Sequence, residues 1–431
     1  MFETRLLIAR RMLATLLAAC AGGGVSTAAD WPQWRGPRRD GVSLETGWSA
    51  NWPPAGPKVL WKANVGEGFS GTAVVGERLY TMGFTRQKGV KPTGMAKDPG
   101  LDHVWCLDAA TGKVIWEHSY RCRKGYYYGP FGTPTVAGGR VYTLGKYGHL
   151  FCLDASSGKV VWGQNVATAL KAKVPYYGYA CMPVVVGDLL ILNVGHPGPS
   201  MAALDRHTGR LVWKSGRCEA GYSSPVAYEA AGGPAVTILT PRAAVGLDAK
   251  TGRQLWSHPW KTGPQSSATT PLVSGTRVFV SASENKQWCA LLEIGGEAAK
   301  VVWENRNMMN YFNAPVLWKG CLYGIHSTDH VSKNSSLRCV EFDTGKVKWD
   351  TGGVGKGGVT VAGGRLIVLC EGGELRIAEA SPDRYVELAR AKVLDGKCWT
   401  PAVLCRGRIY CRNHKGTVVC LDVGGGKSGA D

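Results

Sequence analysis

After its first twenty or so residues the chain has no sustained helical periodicity, which leaves an all-β protein. No apolar run beyond the leader is long enough to cross a bilayer as a helix. The 14 cysteines show no Cys-x-x-Cys spacing, which argues against structural zinc. Gly-x-Ser-x-Gly and His-Glu-x-x-His are both absent, so neither a hydrolase nucleophile turn nor a zinc-protease helix is present. Gly426-Lys427-Ser428 matches the end of a phosphate loop, but the upstream Gly is missing and no helix follows. Acidic residues are few, 32 against 51 Lys and Arg, for a net charge of +19. No nucleic-acid recognition module accompanies that charge, so nucleic acid is not an expected partner.

What the chain does have is glycine, 59 residues of it, and a repeated phrase. The phrase is Leu-Asp, a short turn ending in Gly, a basic residue, then Trp. It occurs with Asp108 and Trp116, Asp154 and Trp162, Asp205 and Trp213, and Asp248 and Trp256. Weaker copies carry Trp303, and Asp343 with Trp349. A period near 45 residues means repeated supersecondary units. Each copy follows two short apolar runs joined by a Gly turn, usually introduced by Pro, as at Pro134, Pro183, Pro225, Pro271, Pro315 and Pro401. Gly71 to Tyr80 and Gly358 to Val368 supply two further openings, making eight units of four strands. The expected fold is an all-β, eight-bladed β-propeller of four-stranded blades. The last unit ends at Asp422 without a Trp strand, while an orphan strand around Trp61 precedes the first. An N-terminal strand carrying Trp61 is therefore expected to close the last blade. The repeated Asp and Trp residues read as structural: a carboxylate capping a turn and a ring packed between blades.

The expected organisation is a leader and tether over 1–29, an N-terminal strap over 30–57, a propeller over 58–423 and a flexible tail over 424–431. Arg5, Arg10 and Arg11 precede the apolar stretch of residues 12–19, the pattern of an exported protein. Two processing sites compete: a lipobox in which Cys20 would be lipidated, and Thr27-Ala28-Ala29 for release of a soluble form. Either places the protein in the periplasm or on a lipid anchor in the cell envelope. Cys106, Cys152 and Cys420 precede Leu-Asp where other units have Ala203 and Gly246, so they read as small buried residues. One or two disulfides among the rest stay open.

Much of the positive charge sits in hairpin turns. Lys113, Lys159, Arg210, Arg253 and Lys346 follow the Gly of one turn; Arg78, Arg140, Arg277, Arg365 and Arg408 adjoin the other. Both turns lie on one face of an up-and-down disc. They read as exposed polar turns, or else as a basic face for an anionic membrane surface or acidic partner. The opposite face gathers the inter-blade loops, rich in aromatics, amides and hydroxyls. Its candidate ligand-binding residues are Phe69, Tyr127, Tyr177, Tyr222, Asn310, Asn313, Lys356, Lys397 and Trp399. Rings for stacking and a few polar groups suit a planar or polyhydroxylated ligand such as a carbohydrate. The same aromatics could instead plug the channel. His326 and His330 are four apart, but no helix aligns them for metal binding.

The repeated Asp-x-x-Thr-Gly-x-x-x-Trp phrase resembles the tryptophan-docking motif of the pyrroloquinoline quinone (PQQ)-type propellers, over about Trp31 to Asp422. The opening Trp31-Pro32-Gln33-Trp34-Arg35-Gly36-Pro37-Arg38-Arg39-Asp40-Gly41 is similar to the start of bacterial secreted PQQ-like repeat proteins. Two classes share that fold: quinoprotein alcohol and sugar dehydrogenases, and non-enzymatic scaffolds such as BamB, an outer-membrane assembly lipoprotein. The dehydrogenase resemblance implies PQQ and Ca²⁺ in the funnel, with Trp399 stacking and Lys397 or Lys356 facing quinone oxygens. The alcohol-class pair of adjacent cysteines is missing, and Glu67 is the only carboxylate in the mouth loops. The reading reached is a monomeric, BamB-like binding or assembly scaffold with an envelope protein partner. PQQ-dependent dehydrogenase and carbohydrate-binding propeller are the alternatives.

Overall fold

A computed structural model describes residues 30–87, 99–123, 127, 129–195, 197–262, 268–283, 288–328 and 332–425. Cys20, Ala29, His330 and the Gly426-Lys427-Ser428 string lie outside them. The described residues form eight sheets, each with four antiparallel strands, which are consecutive in sequence in the first seven blades. The second blade shows the plan: Thr135–Ala137 innermost, then Arg140–Leu144, His149–Asp154 and the outer Val160–Asn165. The rest is nearly all loop; the helical elements among the described residues are Val166–Ala169 and the single turn Ser332–Asn334.

Where it is kept, the repeated phrase does two jobs in its blade. Its carboxylate caps the outer turn: Asp205 Oδ1 accepts from the backbone of His207 and Thr208 and from the Thr208 hydroxyl at 2.8–3.0 Å. Its Trp then docks on the following blade. The Trp116 indole donates to the Ala155 carbonyl at 3.0 Å, and its ring lies over Gly158. Gly158 has φ +71, and a Cβ there would stand 2.6 Å from that ring, so only glycine fits. Trp61, Trp162, Trp213, Trp303 and Trp349 donate to the next blade in the same way. Trp256 departs from the rule by donating to Tyr228 of its own blade at 2.8 Å, because the fifth blade has lost the receiving Thr-Gly turn. A β-bulge just before the docking Trp recurs in the outer strands and turns the ring toward its neighbour.

In the sixth blade the sequence expectation is corrected. The turn carboxylate is Glu341, which accepts from the Thr344 hydroxyl, whereas Asp343 stands two residues on and pairs with Arg277 at 2.5 Å. Thr344, Gly345 and Lys346 keep the register of the motif, and only Asp343 stands two positions beyond the capping carboxylate.

The hydrophobic core lies between blades rather than at the centre. Tyr142, Leu144 and Cys152 of the second blade, for example, pack on Leu190, Leu192 and Leu204 of the third. Cys106, Cys152 and Cys420 are fully buried there, and no disulfide joins the cysteines among the described residues. The ring closes where the last blade takes its outer strand from the N-terminus. Val59–Asn64 pairs antiparallel with Thr417–Asp422, Trp61 opposite Cys420.

Between Asp30 and Ala50 the chain does more than strap the ring. It runs through the channel from the turn face and ties the inner strands together. Trp31 pairs with Val74 of the first blade, and the Pro32 carbonyl accepts from Val136 of the second. Arg39 donates to the carbonyls of Pro183 at 2.6 Å and Pro225 at 3.2 Å, which lead into the third and fourth blades. Arg35 donates to Ala314 and Pro315, each at 2.7 Å, on the way into the sixth. Val42–Ser43 adds a parallel fifth strand to the seventh blade, and Glu45 accepts from the Arg406 and Gly407 amides of the eighth. Arg35 and Arg39 both have left-handed backbones, φ +63 and +56, a cost the surrounding bonds offset. Burial pulls Arg39 down to about 9 and Arg35 down to about 10, so both guanidinium groups stay charged at neutral pH.

Candidate functional site

With one end filled, the channel becomes a cup that opens on the inter-blade loops. Its cavity has about 140 Å³ open to the centres of water-sized molecules, and Trp34 of the N-terminal segment reaches it. The wall is largely aromatic because each inner strand is entered by a loop that carries a ring. Phe69, Tyr127, Tyr177 and Tyr222 come from the loops into successive blades. Tyr127 and Tyr177 sit with ring centroids 5.6 Å apart, Tyr177 and Tyr222 with theirs 5.8 Å apart. The Tyr222 hydroxyl accepts from the Tyr177 amide at 3.2 Å, and burial pushes it up to about 12.

Trp399 is enclosed. Phe69 stacks on it at 4.6 Å, Phe312 crowds it at 4.8 Å, and the Lys397 ammonium lies 5.0 Å over its ring. Its indole N–H is held by Glu371 at 2.8 Å. The candidate residues thus divide. Phe69, Tyr127, Tyr177, Tyr222, Asn313 and Trp399 line the cavity. Asn310 is buried behind the wall, donating to the Ile325 carbonyl. Lys356 is buried as well, with its ammonium 3.6 Å over the Tyr311 ring. Lys397 stands exposed on the rim. Tyr126, Tyr128 and the Gln265-Ser266-Ser267 loop lie outside the described residues.

Sequence reasoning passed over Phe131, Phe312, Ser224, Thr270 and Ser283, which also line the cavity. Phe312 was visible beside Asn313 in the same loop; the serines and threonine give no signal distinct from any β-strand end. Two polar atoms in this wall are buried with no hydrogen-bond partner among the described residues, Ser283 Oγ and Asn313 Oδ1. The Asn313 amide nitrogen is engaged, donating to the Gly357 and Trp399 carbonyls at 2.8 and 2.9 Å. An unmet polar atom of this kind costs about 1–3 kcal/mol when dry.

PQQ with Ca²⁺ does not fit this wall. The quinone is a tricarboxylate and needs cations, while its metal needs convergent oxygen ligands. Among the described residues, those lining the cavity include no charged side chain. No group of three or more His, Cys, Asp or Glu gathers anywhere among them. The Trp399 ring is already packed against Phe69, Phe312 and Lys397.

The basic residues of the turn face divide into paired and unpaired sets. On the turn face the inner-hairpin arginines are already engaged. Arg140 pairs with Asp154 at 2.6 Å, Arg277 with Glu293 and Asp343, and Arg408 with Glu77. Arg78 donates to the Ala155 and Ser156 carbonyls, and Arg365 to the Trp48 carbonyl. The outer-turn cations Lys113, Lys159, Arg210, Arg253 and Lys346 on that face are exposed with no ion-pair partner among the described residues, and so, on the mouth side, are Arg121, Arg123, Lys173, Arg217, Arg306 and Lys415.

A family model described as "Outer membrane protein assembly factor BamB" matches residues 100–351. Among curated proteins, a sequence search finds no match. Similar solved structures include BamB from Moraxella catarrhalis, at 15% identity and TM-score 0.62, covering 85% of this chain and 99% of that one. Quinohemoprotein alcohol dehydrogenase from Comamonas testosteroni is also similar, at 15% identity and TM-score 0.65, covering 93% and 82%. The computationally designed protein Ika8 follows at 10% identity and TM-score 0.59, covering 89% and 99%. At these identities the likeness is one of fold.

Proposed function

Because the chain belongs to the family of outer membrane protein assembly factor BamB, we propose that it is a non-catalytic binding propeller that holds an envelope protein during assembly. The observation that carries this reading is the uncharged, self-packed wall of the central cup. Trp399, the ring best placed to stack a quinone, is packed against Phe69 and Phe312, and no charged group lines the cavity among the described residues. A rigid disc with interlocked blades suits a docking platform, since little ordering entropy is lost when a partner lands on it. The basic apolar leader of residues 5–19 supports export to the periplasm or to a lipid anchor at Cys20.

The test is titration of the folded protein with PQQ and Ca²⁺, followed by quinone absorbance and heat. Absence of stoichiometric binding, together with recovery of a defined envelope protein by in-cell crosslinking, is the expected pair of results. Tight 1:1 binding that Trp399→Ala abolishes would overturn the reading in favour of a PQQ-dependent alcohol or sugar dehydrogenase.

A further inference from the structure

We infer that the mouth of the cup is a binding site for an anionic oligosaccharide, with one sugar ring in the cavity and its charged neighbours on the rim. This goes beyond the assembly role and does not depend on it.

The cavity sets the size and polarity of what enters. Its volume holds on the order of ten waters, which is room for a single monosaccharide ring. The wall offers both things a pyranose needs. Phe69, Tyr127, Tyr177 and Tyr222 present apolar ring surface to its C–H faces. Ser224, Thr270, Ser283 and Asn313 present hydroxyl and amide groups to its hydroxyls. Ser283 Oγ and Asn313 Oδ1 are closed off from water with no hydrogen-bond partner among the described residues, and a small rotation of either side chain would bring its oxygen to a sugar hydroxyl. A hydroxyl can donate to either oxygen and accept from the serine. An ion would find no counter-charge here, and an apolar side chain would leave both oxygens unmet.

The rim sets the charge of the neighbouring units. The cations are not scattered: they stand in the loops that carry the rings. Arg123 precedes Tyr127 and Lys173 precedes Tyr177 by four residues; Arg217 precedes Tyr222 and Arg306 precedes Tyr311 by five. Each loop therefore delivers a ring inward and an exposed cation outward. Beside the first two blades the rim continues as an open groove lined by Arg121, Arg123, Tyr147 and His149. Arg123 lies 4.5 Å over the Tyr147 ring there, and His149 Nδ1 is buried with no hydrogen-bond partner among the described residues. A neutral slot surrounded by positive charge matches a glycan whose flanking units carry carboxylate or sulfate. An acidic peptide would satisfy the rim but bring no hydroxyls to Ser283 and Asn313.

The test uses four probes against the full folded chain by isothermal titration: oligosaccharides of alginate and of chondroitin sulfate, neutral cello-oligosaccharide, and poly-L-glutamate. The two anionic sugars separate carboxylate from sulfate as the source of the charge. At least one is expected to bind 1:1, with affinity falling about tenfold or more as salt is raised. Ser283→Val and Tyr177→Ala should each weaken it by about tenfold with the thermal midpoint unchanged, while Arg217→Gln should mainly flatten the salt dependence. Three results would each overturn the proposal: neither anionic sugar binds at millimolar concentration, poly-L-glutamate competes on equal terms, or the cavity variants leave affinity intact. None of these touches the crosslinking result, so the two readings stand or fall apart.

Discussion

The two faces of the disc obey different rules. On the turn face the repeated Asp and Trp residues and the inner-hairpin arginines are spent on the fold, while the outer-turn cations stand exposed. Asp205 caps its turn, Trp213 reaches the Ala249 carbonyl of the next blade, and Arg140 pairs with Asp154. The same solution recurs around the ring because each junction has the same problem. On the mouth face the loops vary in length and sequence, rings crowd one cavity, and several exposed cations have no ion-pair partner among the described residues. Repetition marks what the ring needs in order to close; departure from repetition marks what is left over for a ligand.

Substitutions should separate these faces. The largest effect belongs to the turn side. Trp213→Ala removes a buried ring and its interblade hydrogen bond, and chemical denaturation should show a loss of about 3–5 kcal/mol. Protein that still folds should bind at the mouth as before; a parallel loss of binding would break the division. Next comes a buried base at the mouth end. Burial first, then the Arg338 charge, pulls His326 down to about 4, and its Nδ1 accepts from the Met309 amide at 3.2 Å. A lowered basic pKa means the unfolded chain takes up the proton first. The contribution is therefore complete above about pH 6.5 and lost as pH falls toward 4, amounting to about 3 kcal/mol at most. His326→Gln should flatten that acid limb in pH-dependent unfolding, and an unchanged limb would move the acid sensitivity elsewhere. The smallest effect is expected on the rim. Arg217→Gln should alter stability by no more than about 0.5 kcal/mol, and a larger change in denaturant midpoint would mean that the cation serves the fold after all.

The same contrast explains what could be read from residues alone. The eight blades and the closing strand around Trp61 were legible because a phrase repeated eight times, even imperfectly, is a long-range signal carried by local sequence. Glu341 was misread because Asp343, two residues away, stands directly before a matching Thr344-Gly345-Lys346. The pairing of the positive charge was not legible, since a sequence gives Arg140 but not the carboxylate of Asp154 lying across from it. Phe69 and Trp399 could be expected at the mouth from their place in the loops. Whether a side chain such as Asn310 or Lys356 points into the cavity or behind its wall depends on loop backbone that no periodicity governs. Arg35 and Arg39 were least visible of all: nothing repeated announces a segment that runs through the middle of the ring.

That segment gives the molecule a front and a back. An open annulus has two equivalent doors, and material can be drawn through it; a ring stoppered by its own chain has one. Whatever the cup holds must leave by the way it came in. A long polymer can be gripped at its tip or laid across the opening, but never threaded. The stoppered side, meanwhile, is at liberty to rest against another surface without competing for what the front is holding.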